Sequence, residues 1–162
     1  MNEETVKNIL RRYAEGERDF SGSDLPSANL SYANLSEANF ARTNLELANL
    51  AGTEMFLADL TKATLNKATL KGTRLHEANL AEADLSYADL RRADLEGANL
   101  TFTNLTDADL SGADLTEADL SGANLTGADL READISWADL SGVKLTKANL
   151  FNTSMVETKL RN

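Results

Sequence analysis

One histidine, no cysteine and a recurring aspartate are the groups with which this 162-residue chain could do chemistry. Without cysteine it can form no disulfide, no thiolate metal site and no cysteine nucleophile. His76 has no second histidine with which to share a metal. To serve as a general base it would need an activated serine and a carboxylate gathered in one cleft. It directly follows Leu75, at a position that the periodicity below assigns to an outward corner, so a solvated surface role is expected. No catalytic residue, metal ligand or cofactor site is assigned, and no enzyme activity is expected. The aspartates remain. Carboxylates stacked along a surface can hold a hard cation, but the chain lacks the glycine-bent loop and mixed ligand set of a dedicated calcium site.

The acidic groups also set the choice of partner. The formal net charge is −10, which argues against nucleic acid or an anionic membrane as a direct partner and admits a basic protein. Residues 82–139 hold 14 acidic and 3 basic side chains, whereas residues 140–162 hold 1 acidic and 4 basic. Met1 to Tyr13 is charged and lacks an apolar run, so no signal peptide is expected. No stretch approaches the ~20 apolar residues of a membrane span. A cytoplasmic protein is the expectation.

What positions these groups is a repeat. Every fifth residue from Phe20 to Leu160 is large and apolar, giving 29 centres without a break in register. Two residues before each centre stands a small residue, nearly always Ala or Thr, with Arg18, Ser23 and Val143 as the exceptions. Between the two stands Asp or Asn in most units, as in Ala83-Asp84-Leu85-Ser86-Tyr87. A period of five fits neither a helix nor a long strand. It fits a three-residue extended piece followed by a bend. Ala83 and Leu85, two apart, then share the inward face while Asp84 points out.

The bends carry turn chemistry. Every glycine except Gly16 sits two residues after a centre, and Pro26, the sole proline, sits one after. Proline followed by a glycine-rich position is the preference of a type II turn. Tyr87 and Trp137 occupy the same second position, so another turn type is expected at the bulky corners. Ala28 to Ala148 forms an all-Ala series at a spacing of twenty. Ala38 to Ala138 forms another, broken at Thr158, while the two series between them mix Ser, Thr, Ala and Val. That alternation favours an even number of sides and fits a superperiod of ten or twenty.

Residues 18 to 160 resemble the pentapeptide-repeat family throughout, and Tyr13 to Phe20 is similar to the opening of cyanobacterial-type members. The resemblance implies an all-β fold, a right-handed quadrilateral parallel β-helix with four pentapeptides per coil. Twenty-nine units then make about seven coils, a rod ~34 Å long at ~4.8 Å per coil. An N-terminal capping helix is predicted over residues 1–17, ahead of the repeat domain at 18–162. Val6, Ile9, Leu10, Tyr13 and Ala14 would form its apolar face over Phe20 and Leu25. Asn2 would be its N-cap and Gly16 its end.

With twenty residues per coil, Asp94, Asp114 and Asp134 stack in one column, Asp89, Asp109 and Asp129 in another, and Asp119 beneath Asp139. These eight form the candidate acidic surface for an unknown protein partner. The bland alternative is that Asp and Asn simply keep the rod soluble. The functional reading implied by the resemblance is a structural or interaction rod. Its rival is a DNA mimic that binds a type II topoisomerase (gyrase) and inhibits or protects it. Against the rival, the unbroken register leaves no room for the loops or C-terminal dimerisation helix that such members carry. The outward aromatics Tyr32, Phe56, Tyr87, Phe102, Trp137 and Phe151 are expected to lie over neighbouring corners. No cap is predicted after Leu160, and related rods dimerise end to end. Phe151, Met155 and Leu160 are therefore the candidate face of an end-to-end homodimer.

Overall fold

The computed structural model describes residues 3–161. Its one helix, α1, spans Glu3–Ala14, with Glu3 and Glu4 in the first turn and Arg11 and Arg12 in the last, both complementing the helix dipole. The expected N-cap, Asn2, lies outside the described residues. At the other end the Gly16 N–H donates to the Tyr13 carbonyl and the Glu17 N–H to that of Arg12, both at 3.0 Å. This is a Schellman closure, and it requires the left-handed backbone that Gly16 adopts at φ 99°. No helix among the described residues is long and apolar enough to cross a membrane.

From Asp19 to Lys159, the residue before each centre pairs in parallel with the residue twenty further on. Twenty residues therefore make one coil of four sides, and of the two superperiods the Ala series allowed, the longer is the real one. The coils wind as a right-handed quadrilateral β-helix. Its sides can be numbered by their first centres: Phe20, Leu25, Leu30 and Leu35 on the first to fourth.

Backbone bookkeeping explains the consensus. In the repeat Ala83–Tyr87, the Ala83 N–H closes a turn onto Leu80 at 3.0 Å. Asp84 donates down to Ala63 at 3.0 Å, while Leu85 and Tyr87 donate up to Asn104 and Thr106 at 2.8 and 2.9 Å. Only the Ser86 N–H has no backbone acceptor, and the Asp84 carboxylate takes it at 3.1 Å. An Asp or Asn side chain reaches the N–H two residues on more readily than any other. Every Asp or Asn at this position makes the bond except Asp24, which is followed by Pro26 and so has no N–H to receive. Asp24 accepts from the Asn44 amide instead, at 2.7 Å.

The bulky corners do not adopt a second turn type. The second corner residue has positive φ throughout the rod, Tyr87 at 58° and Trp137 at 60° as much as any glycine. The first corner residue does not, and the turn-closing bond onto the centre is made, as in Ala88 to Leu85 at 3.1 Å. Those are the marks of a type II turn. The reason is that every second corner residue up to Gly142 donates to the coil above, and the last coil continues the same winding. Keeping that ladder outweighs a left-handed strain of about 1–2 kcal/mol per non-glycine residue. Two glycines have a further reason. Tyr32 lies across Gly52 and Phe102 across Gly122, where an added Cβ would come within 2.7 and 2.6 Å of the rings. Phe56 likewise stacks on His76 at 5.5 Å. These three aromatics therefore lie over the next coil's corner, as expected.

The centres fill the interior as ladders, with Ala lining the first and third sides. On the second and fourth sides Thr43, Thr53, Thr73 and Thr103 are fully buried. Each hydroxyl donates to the carbonyl of the centre 23 residues before it, Thr73 to Leu50 at 2.7 Å. That carbonyl already accepts the Thr53 N–H at 3.0 Å. Thr73→Val therefore leaves no buried group unpaired, and its stability is expected to stay within about 1 kcal/mol of wild type in urea denaturation.

The two ends differ. Ile9 is buried, and Val6, Leu10 and Tyr13 pack against the core, so Phe20, Leu25 and Leu30 are covered. Arg12 sits over the Phe20 ring at 5.2 Å and Arg18 over Tyr13 at 3.9 Å. The Tyr13 hydroxyl donates to the Ser36 carbonyl at 3.0 Å. At the other end Met155 and Leu160 are 43% and 58% exposed.

Candidate functional site

The eight candidate aspartates do not form one surface. Asp89, Asp109 and Asp129 stand on the third side, beside a basic corner. Arg91 grips Asp89 through two bonds of 2.7 and 2.6 Å, and lies 3.7 Å from Asp109. Arg131 holds Asp129 in the same fork, its Nε 2.9 Å from both carboxylate oxygens. Arg91, Arg92 and Arg131 are the three basic residues of the acidic stretch, and all fall on this one corner. With Lys71 and Phe151 they line a groove of about 430 Å³. The third side is thus locally neutralised, and these three aspartates leave the candidate acidic surface.

The other five converge. Asp94, Asp114 and Asp134 run up the fourth side, Asp119 and Asp139 up the first, and those sides meet at the corner that carries Glu96 and Glu117. Arg74 and Lys159 stand at the two ends of this edge, engaged by Glu54 at 3.0 Å and by Asp139 at 3.5 Å. The result is one acidic edge. Each aspartate on it is held rigid by the corner N–H it accepts, at 2.9 to 3.3 Å.

At Asp134 and Asp139 those bonds favour the charged form. The Ser136 hydroxyl and N–H hold the Asp134 carboxyl below the usual carboxylate range, and Ser141 does the same for Asp139. On the third side the Arg91 guanidinium depresses Asp89 and that of Arg131 depresses Asp129. A carboxyl with a depressed folded pKa stabilises the fold above its unfolded value, and that stabilisation is lost as pH falls through the folded one. The melting temperature is expected to be flat from about pH 8 to 5 and to fall below about pH 4. A rise on acidification would show instead that release of charge repulsion along the acidic edge dominates.

His76 stands at the outward corner expected, but with carboxylates beside it. Coil stacking sets it beneath Glu96, with Nδ1 3.5 Å from a Glu96 oxygen and Nε2 3.3 Å from Glu77. The signal was present in the spacing: once the coil is twenty residues, 76 and 96 share a column. The candidate end-face residues Phe151, Met155 and Leu160 lie on three different sides or corners of the last coil, all exposed.

The pentapeptide-repeat family model matches in eight copies over residues 19–55, 58–97, 93–131, 108–146 and 128–162. No curated protein matches the chain. Among solved structures, HetL from the cyanobacterium Nostoc sp. strain PCC 7120 is a pentapeptide repeat protein involved in heterocyst differentiation regulation. It is 28% identical with a TM-score of 0.47, and the match covers 90% of this chain and 92% of that one. A pentapeptide repeat protein of the cyanobacterium Cyanothece is 24% identical over 98% of this chain and 99% of its own, with a TM-score of 0.40. The plasmid-mediated fluoroquinolone resistance protein QnrB1 is 21% identical, covering 90% and 86%, with a TM-score of 0.41. With a repeat unbroken across almost its whole length and a family model matching the same span, the chain belongs to the pentapeptide repeat family.

Proposed function

We propose that this chain is a non-enzymatic interaction rod whose acidic edge docks a basic protein. The observation that carries the reading is the sorting of charge by side. The arginines of the acidic stretch gather on one corner, leaving Asp94, Asp114, Asp119, Asp134 and Asp139 on an edge with little compensation. Rigid carboxylates on a convex surface steer and orient a cationic partner. The test exploits the corner bond. Asn makes the same bond at this position, as Asn99 does to the Thr101 N–H at 3.0 Å, so Asp→Asn removes charge without disturbing the fold. A partner captured by wild type is expected to be lost by the triple variant Asp114→Asn, Asp119→Asn, Asp134→Asn. Equal retention by both would overturn the reading.

The same edge supports a second reading, a DNA mimic that occupies a type II topoisomerase, since its carboxylates are stacked at regular spacing. A gyrase supercoiling assay separates the two: absence of inhibition or protection at micromolar protein would dispose of it. At the C-terminal coil, we propose that a second copy covers Phe151, Met155 and Leu160, which are all exposed. Light scattering is expected to give a dimer mass, and a monomer at high concentration would refute it.

A further inference from the structure

We propose that His76, Asp94 and Glu96 form a binding site for one borderline divalent transition-metal ion, of the zinc, nickel or cobalt class. One donor atom from each of these side chains lies within 4.8 Å of the others. The His76 Nδ1 to Glu96 separation of 3.5 Å is close to the edge of a tetrahedron with bonds of ~2.1 Å, about 3.4 Å. An imidazole nitrogen with two carboxylate oxygens suits these ions, whereas magnesium and calcium take oxygen ligands alone.

The cluster is built from two consecutive coils, and the backbone fixes its dimensions. The Leu75 N–H donates to the Asp94 carbonyl at 2.7 Å and the Glu77 N–H to the Glu96 carbonyl at 2.9 Å. These two bonds flank His76 and set the height between it and the carboxylates above. Two of the three side chains are also oriented. The His76 ring lies flat on Phe56, with planes 10° apart. Asp94 is anchored by the Glu96 N–H at 3.3 Å. Glu77 lies 3.3 Å from Nε2, on the far side of the ring from Glu96. A carboxylate on the second nitrogen is the usual outer partner of a metal-bound histidine, and it leaves Nδ1 to face the ion. The ligands supply three positions, and water completes the coordination.

The site stands apart from the docking reading, because its readout is the ion itself. His76 is the only histidine, so its imidazole resonances report on this site alone. Zinc is titrated into the untagged protein, with a chelating dye in competition and the ring nitrogens followed by NMR. One equivalent is expected to bind and to shift Nδ1 while Nε2 keeps its proton. His76→Ala and Glu96→Gln are each expected to weaken binding at least tenfold, and Asp129→Asn, on the third side, to leave it unchanged. Millimolar magnesium should not displace the zinc. Circular dichroism checks that the variants fold. Corner substitution at 96 is mild, since Thr116 and Ser136 occupy the same position one and two coils on. Unmoved imidazole resonances at saturating zinc, ligation through Nε2, or unaltered affinity in Glu96→Gln would overturn the proposal.

Discussion

Leu95→Asp is expected to abolish cooperative folding of the whole rod. Leu95 is a fourth-side centre with no exposed surface, stacked between Leu75 and Leu115 in a column of centres. A carboxylate there finds no donor, because the surrounding backbone N–H groups are committed to the ladder, Leu95 itself to Asp114 at 2.7 Å. An unpaired charge in that setting costs more than the roughly 5 kcal/mol at the low end of a domain's stability. In a stack where each coil is buried only by its neighbours, a mid-rod defect breaks two interfaces at once. The expected measurement is a circular dichroism spectrum without a melting transition, or an insoluble product. The neighbouring Asp94→Asn should melt within about 0.5 kcal/mol of wild type. Equal tolerance at both positions would refute the inward and outward assignment.

Ile9→Asp is expected to act at one end instead. Ile9 is the residue through which α1 seals the first coil, and a charge there undocks the helix. Phe20 and Leu25 would then be uncovered, a loss of about 3–5 kcal/mol by analogy with large truncations in cores. Because the coils couple to nearest neighbours, the damage should stay local. Amide hydrogen exchange is expected to accelerate at Leu25 and Leu30, while Leu95 and Leu100 keep their protection. Unchanged exchange in the first coil would mean that α1 is not a cap.

Much of this was legible in the sequence because the repeat expresses a local constraint. The alternation of Ala83, Asp84 and Leu85 between the two faces follows from extended geometry alone. The all-Ala columns by themselves point to an even-sided coil. The helix ending at Gly16 was readable because the Schellman closure depends on one residue's backbone freedom. The corners at Tyr87 and Trp137 depart from local residue preference because the ladder, which that preference does not contain, sets φ to 58° and 60° there. The candidate site was read less well, and for a single reason. Charge was counted along the chain, whereas the coil sorts it by side. Arg91 lies two residues from Asp89 and faces the same way, so a column counted as three free carboxylates is held by guanidinium groups. His76 looks solitary in the sequence because Asp94 and Glu96 are 18 and 20 residues away.

The pairing of each residue with the one twenty further on gives the chain a geometric reading frame. Removing one coil leaves every later residue on its own side and merely shortens the rod. Removing a single pentapeptide keeps the inward and outward pattern intact, yet turns everything downstream through a right angle. Thr103 would then have to fit the column lined by Ala58 and Ala78, and Asp114 would no longer stand above Asp94. Such a deletion would be almost silent in composition and in hydropathy. It would still sever the acidic edge at the joint. Functional length variants of this rod should therefore differ in steps of about twenty residues, four repeats at a time.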